Sequence, residues 1–241
     1  MYVGAFIVFL FVLGLFIVKG PVKWALCVAT VLSVLLSWGH NFMWFTNLFI
    51  DYMPLYSKFR TVSSILVIAE FTIPFLAILA LREILGNPDC IKNNKAAFWG
   101  SAAATGGLAL LFALMPRLFF PNYISSAEMS ALSSLNDAAR NMLIDGIETV
   151  RVSIFTADAW RSFAVIAIGV ALLFLYNKGK LKANATLALC AVFCFVDLWS
   201  VDKRYLNDSQ FITPKALNKV AEKSPADEYI LSDTDPDYRR S

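Results

Sequence analysis

The residue with the most chemical potential in this chain is a carboxylate inside an apolar stretch. Glu70 lies about nine positions into the otherwise uncharged run from Thr61 to Leu81, and Pro74 follows one turn later. At ~1.5 Å per residue that depth is about 13 Å, where a carboxylate is costly and marks either a functional site or a buried partner. A structural hydrogen bond to a neighbouring segment is the plainer of the two readings. Other charges gather where apolar runs end. Arg151, Asp158 and Arg161 recur on one helical face, which suits an ion pair orienting the following segment better than a ligand site. Asp197, Asp202, Lys203 and Arg204 form a similar cluster. The acids Asp197 and Asp202 are five residues apart, a spacing that does not place them on one face, so metal or acid–base work gains little from them.

A third group is aromatic and cationic. Trp38, Trp44, Tyr52 and Tyr56 suit a lipid headgroup zone, and Asp51, Lys58 and Arg60 stand among them. Lys58 and Arg60 can meet a lipid phosphate, although an ordinary aromatic belt with snorkelling cations explains the composition more simply. His40 is the only histidine, which leaves a histidine-rich metal site or a His-based triad without support. Cys190 and Cys194 share a helix face, but no histidine or further thiol lies near them, so they read as small packing residues. No glycine-rich phosphate loop or dinucleotide fingerprint is present. No residue reads as catalytic, no metal site is expected, and no cofactor is specified.

The elements that must position these residues are legible from charge spacing. The chain has 241 residues, is 58% apolar and 14% aromatic, and has a mean hydropathy of +0.62. Its charges cluster every sixteen to thirty residues and are absent between. A lysine or arginine at a bilayer centre costs about 2.5–3.5 kcal/mol, and a crossing helix needs roughly 20 apolar residues. The expectation is an all-α polytopic bundle of about six spans, near 2–18, 24–45, 61–81, 96–116, 160–177 and 183–200. The net charge of +3 is too small and too dispersed to suggest nucleic acid. The fourth run carries small residues from Gly100 to Gly107, which let a neighbouring helix approach closely.

Orientation follows from alternate turns. Lys19 and Lys23, then Arg82, Lys92 and Lys95, then Lys178, Lys180 and Lys182 outnumber the acids beside them. Positive turns favour the cytoplasmic side, which puts the tail and the loops at 39–61 and 117–161 outside. Within residues 123–158, Met129, Leu132, Leu135, Ala139 and Met142 recur at helical spacing, giving one or two amphipathic helices capped by Ser125 or Ser126 and interrupted at Gly146. From 206 to 241 the composition turns polar. Thr213-Pro214 predicts a helix to about Glu222, Glu228–Ser232 a strand, and the whole the start of an outer domain that continues beyond this chain.

Four strings carry a resemblance. Leu36-Ser-Trp-Gly-His-Asn-Phe with Asp51-Tyr-Met-Pro-Leu-Tyr-Ser-Lys-Phe-Arg-Thr-Val-Ser-Ser resembles the signature region of the YfhO family of bacterial multi-pass membrane proteins. Arg151 through Ala157-Asp-Ala-Trp-Arg-Ser and Val196-Asp-Leu-Trp-Ser-Val-Asp-Lys-Arg-Tyr-Leu-Asn are similar to later family segments, and the overall wording resembles members from the Bacteroides group. The resemblance implies a bacterial plasma-membrane protein akin to C-type glycosyltransferases, which move sugars from a polyprenyl-phosphate carrier during envelope polymer glycosylation. Because that class keeps its catalytic carboxylate in a first outer loop, it also implies an internal stretch of a longer protein. The other spans of that protein are then its partners, and the catalytic residue is not among Asp51, Glu70, Asp197 and Asp202. A transporter or flippase segment, motivated by Glu70 beside Pro74, and a non-catalytic scaffold are the competing readings.

Overall fold

A computed structural model describes residues 2–53, 62–207, 210–211 and 227–229, and no strand occurs among them. Up to residue 207 the described helices are α1 Ala5–Ile17, α2 Val22–Ser37, α3 Met43–Tyr52, α4 Val67–Gly86, α5 Cys90–Asn93, α6 Lys95–Leu114, α7 Pro116–Phe119, α8 Ser126–Leu132, α9 Asp137–Asn177 and α10 Ala183–Tyr205. An apolar chain in lipid has no water to satisfy its backbone, so helices that close their own hydrogen bonds are the expected solution. Four helical segments are long and apolar enough to cross a membrane: residues 63–86, α6, α9 and α10. The bent pair α2–α3 makes a fifth if it counts as one crossing.

Two of the expected spans take an unexpected form. The run 2–18 folds into a helix of 13 residues, about 20 Å long against a hydrocarbon core of ~30 Å. The run 24–45 breaks after Ser37, and the chain turns by 107° through a 3-10 turn at Gly39–Phe42 into α3. Gly39 sits at φ 48, a left-handed conformation that a side-chain-bearing residue resists, and it makes that corner. The outer amphipathic segment and the fifth run are also continuous, since α9 is 41 residues long and passes through Gly146 without interruption.

The chain divides into two units, Met1–Leu198 and Trp199–Ser241. In the first, α1 is the centre and packs on α4, α6 and α9. Its Phe6, Phe9, Leu10 and Leu13 are buried. Close approach depends on glycine: a Cβ at Gly14 would lie 3.0 Å from Leu76, and one at Gly169 would fall into the ring of Phe6. Helix α2 joins α4 through a buried hydroxyl pair, Thr30 Oγ1 and Thr72 Oγ1, 2.6 Å apart. Helix α6 packs on α9, but only one edge of its small-residue stripe takes part. Ser101 is buried and Gly106 faces Ile166, whereas Gly100 and Gly107 meet nothing within 4 Å.

Gly14 meets Leu76 and Ala80, and Trp99 meets Phe174, so the turns at 18–22, 87–94 and 178–182 share one end of the unit. There the Tyr176 hydroxyl donates to the Leu85 carbonyl at 3.0 Å, tying the ends of α9 and α4. The three cationic turns therefore gather together, as their alternation in sequence requires. In the second unit the last turns of α10 place Lys203 over the Trp199 ring at 5.7 Å. The helix expected from Thr213 to Glu222 lies outside the described residues. So does most of the strand expected at Glu228–Ser232, and its described part is helical.

Candidate functional site

At the end of the first unit opposite the cationic turns, three side chains from three parts of the chain converge. Tyr2 precedes α1, Arg161 lies in α9, and Asp197 lies near the end of α10's share of this unit. The Tyr2 hydroxyl donates to Asp197 Oδ2 at 2.8 Å. Arg161 Nη2 stands 3.8 Å from Asp197 Oδ1, beyond hydrogen-bond range, and the guanidinium lies over the Tyr2 ring at 5.0 Å. The Asp197 side chain is 4% exposed. A carboxylate in such a place is costly unless it is held by donors and a counter-charge, and Tyr2 and Arg161 supply both. Arg161 Nε and Nη1 are buried with no hydrogen-bond partner among the described residues. Guanidinium N–H groups are strong donors that suit an anionic oxygen, so the cluster has donor capacity to spare.

A groove of about 260 Å³ lies between α1, α4 and α10, and its lining does not include the three cluster residues. Its walls include Phe6, Leu10, Pro74, Ala77, Cys190 and Cys194 and are almost wholly apolar. Ile7 and Cys194 in its lining stand one turn from Gly4 and Asp197, and a Cβ on Gly4 would lie 3.4 Å from both Asp197 Oδ2 and Ile7. That is ordinary contact, so space does not demand a glycine; its φ of +92 does, a conformation that side-chain-bearing residues resist. Cys190 and Cys194 serve as groove wall, consistent with small packing residues, and no group of His, Cys, Asp or Glu able to hold a metal occurs among the described residues.

The second charged centre is a latch. Arg151 on α9 donates through Nη1 and Nη2 to the Glu128 carboxylate at 2.9 and 2.5 Å and through Nη1 to the Tyr123 carbonyl. Glu128 is also the third residue of a capping box, in which Ser125 accepts from its N–H and the Ser125 N–H donates to its carboxylate. The bidentate guanidinium, then the Ser125 donors, hold the Glu128 carboxyl down at about 2. The result pins α8 against α9.

The residues singled out in the sequence are thus spread over several places. Arg161 and Asp197 come together, as an ion-pair role requires. Arg151, expected to share a face with Asp158 and Arg161, turns instead to Glu128, while Asp158 is half-buried on α9. Asp202 and Arg204 are exposed and belong to the second unit. Asp51 is exposed in the last turn of α3. Glu70 is exposed in the first turn of α4, and Pro74, lacking an N–H, leaves the Glu70 carbonyl without its helical donor. Lys58 and Arg60 lie outside the described residues. Sequence reasoning missed Tyr2, which carries no signal beyond its place ahead of an apolar run. It also missed Glu128, for which the Ser125-x-x-Glu128 pattern was available.

The chain matches no family model, no curated protein and no solved structure.

Proposed function

We propose that this chain is the membrane-embedded part of a glycosyltransferase-like protein of the bacterial plasma membrane, working on a polyprenyl-phosphate-linked sugar. In this reading α1 and the bent pair complete a six-span bundle, the cationic turns face the cytoplasm, and the Tyr2–Arg161–Asp197 end faces outward. The observation that carries it is an apolar groove whose lining residues Ile7 and Cys194 stand within about a turn of that cluster. A long isoprenoid chain needs an apolar channel, and its phosphate needs a donor-rich mouth; Arg161, in the neighbouring cluster, has buried N–H groups with no hydrogen-bond partner among the described residues. The resemblance of the strings around Trp38, Arg60 and Trp199 to the YfhO family gives the reading its reaction class. Lys58 and Arg60 are the second phosphate contact in this account, beside Tyr52 and Tyr56, and Asp51 lies within reach in sequence.

The test is retention of a polyprenyl-phosphate sugar by the protein purified into lipid nanodiscs, read by native mass spectrometry. Arg161→Gln is expected to lower occupancy at least tenfold. In the full-length parent, Arg60→Lys is expected to lose most of the envelope sugar product at normal membrane levels, because a lysine cannot reproduce a planar two-toothed contact. No retention by the unaltered protein, or equal retention by Arg161→Gln, counts against the proposal.

A second reading, a transporter or flippase segment, draws on α4, where an exposed carboxylate and a carbonyl freed by Pro74 share one turn. Loss of substrate movement in Glu70→Gln without loss of sugar binding would favour it.

A further inference from the structure

The structure assigns α3 a role of its own: we infer that it is an in-plane anchor lying in the outer membrane–water interface, with the stripe Trp44, Leu48 and Tyr52 sunk among lipid acyl chains. The inference does not depend on what the protein transfers. It starts from the 107° bend between α2 and α3. If α2 stands along the membrane normal, α3 lies about 17° past the plane of the surface. Its 10 residues extend about 15 Å, so its far end dips back by about 4 Å. That geometry keeps the whole helix within the roughly 5–10 Å boundary zone that in-plane helices occupy.

The residue pattern fits that placement. Trp44, Leu48 and Tyr52 recur every fourth position and form one continuous stripe, with Trp44 75% and Tyr52 81% exposed. Asn47 and Asp51 form a second stripe beside it, both exposed. An apolar stripe ending in Trp and Tyr next to a polar one matches a boundary with hydrocarbon on one side and headgroups on the other. Asp51 is the only charged residue in the helix. Thr46, on the inward face, spends its hydroxyl on the Gly39 carbonyl at 3.1 Å and the Phe42 carbonyl at 3.2 Å, so the corner satisfies carbonyls left over by the break without solvent. Phe42 and Phe45 stack at 5.6 Å, and Trp38 packs edge-on to Phe42, which fixes the angle of the corner with rings rather than charges. A surface of this kind facing bulk water would hold a large exposed aromatic area, which a lipid interface removes at no cost in polar pairing.

The occupant is therefore the bilayer, and the experiment separates it from water and from a covering protein. Single cysteines at 44, 47, 48, 51 and 52, on a background with the four native cysteines replaced, are labelled with an environment-sensitive fluorophore in vesicles. Each is then exposed to an aqueous collisional quencher or to lipids brominated along their chains. Positions 44, 48 and 52 are expected to be quenched severalfold more by the lipid than by the aqueous reagent, and positions 47 and 51 the reverse. Equal aqueous access at all five positions overturns the inference. So does protection of 44, 48 and 52 from both quenchers, which would mean that protein covers the stripe. If the cysteine-free background does not fold, brominated-lipid quenching of the unaltered protein is compared with Trp44→Phe. A lost quenchable component supports the inference, and an unchanged one refutes it.

Discussion

Replacing Gly169 by alanine adds one methyl group, and the packing of α1 against α9 has no room for it. The added Cβ would sit 2.9 Å from Cγ of Phe6 and closer still to Cδ2 and Cε2 of the same ring. Phe6 cannot simply step aside, because it is 1% exposed and packs against Phe9 at 6.1 Å and Phe193 at 6.0 Å between ring centroids. Either the two helices separate or the ring leaves its rotamer. Inserting a methylene into a filled interior costs about 1–3 kcal/mol, and the top of that range is expected where the clash is with a buried ring. A loss of ~3 kcal/mol lowers the folded-to-unfolded ratio by roughly 160-fold. The assay is the fraction of monodisperse protein surviving a heating series in detergent, with Gly107→Ala as the control. Gly107 meets nothing within 4 Å, so its substitution should be neutral or slightly stabilising. Combining Gly169→Ala with Phe6→Leu should recover part of the loss, since the two act on one contact. If Gly169→Ala survives heating as well as Gly107→Ala, α1 does not lie against α9 as described.

Two further outcomes follow from the polar contacts. The Glu128 carboxyl titrates near 2 in the folded chain against an ordinary 4.5, so its folded value is depressed. The stability that the latch contributes is therefore fully present above about pH 4.5 and fades as pH falls toward 2. Hydrogen exchange of residues 123–133 should rise across that window, whereas Glu128→Gln should exchange fast at every pH. Thr72→Val removes one partner of the Thr30 pair, but the Thr30 hydroxyl keeps its bond to the Leu26 carbonyl at 2.7 Å. The loss in a thermal-survival assay should therefore be near 0.6 kcal/mol, about the average for such bonds between membrane helices, and well below that of Gly169→Ala.

Much of this arrangement was legible in the spacing of charges. Lysines and arginines cannot be left in hydrocarbon, so the turns at Lys19, Arg82 and Lys178 mark helix ends without any knowledge of packing. Hydropathy says nothing, however, about which apolar surface faces lipid and which faces protein. That is why α1 read as an ordinary span when it is a short central helix with Phe6, Phe9 and Leu13 buried. The corner at Gly39 left no charge to betray it, since its freed carbonyls are met by Thr46 and by a 3-10 turn; the glycine itself was the only signal. Gly146 shows the converse, because a glycine in a helix with nothing near it interrupts nothing. The candidate site was half legible. Arg161 and Asp197 stood out as charges at run ends, but their meeting depends on how α9 and α10 are disposed around α1. Arg151 pairs with Glu128, whose carboxylate the α8 capping box also holds.

The central claim is a membrane bundle whose cationic turns lie on one side and whose Tyr2–Arg161–Asp197 end lies on the other. Single cysteines at Asn122, beside the latch, and at Lys180, in the third cationic turn, test it directly in intact cells with a membrane-impermeant maleimide. The account predicts labelling at 122 in intact cells and at 180 only after lysis. Labelling of 180 in intact cells, with or without 122, contradicts it.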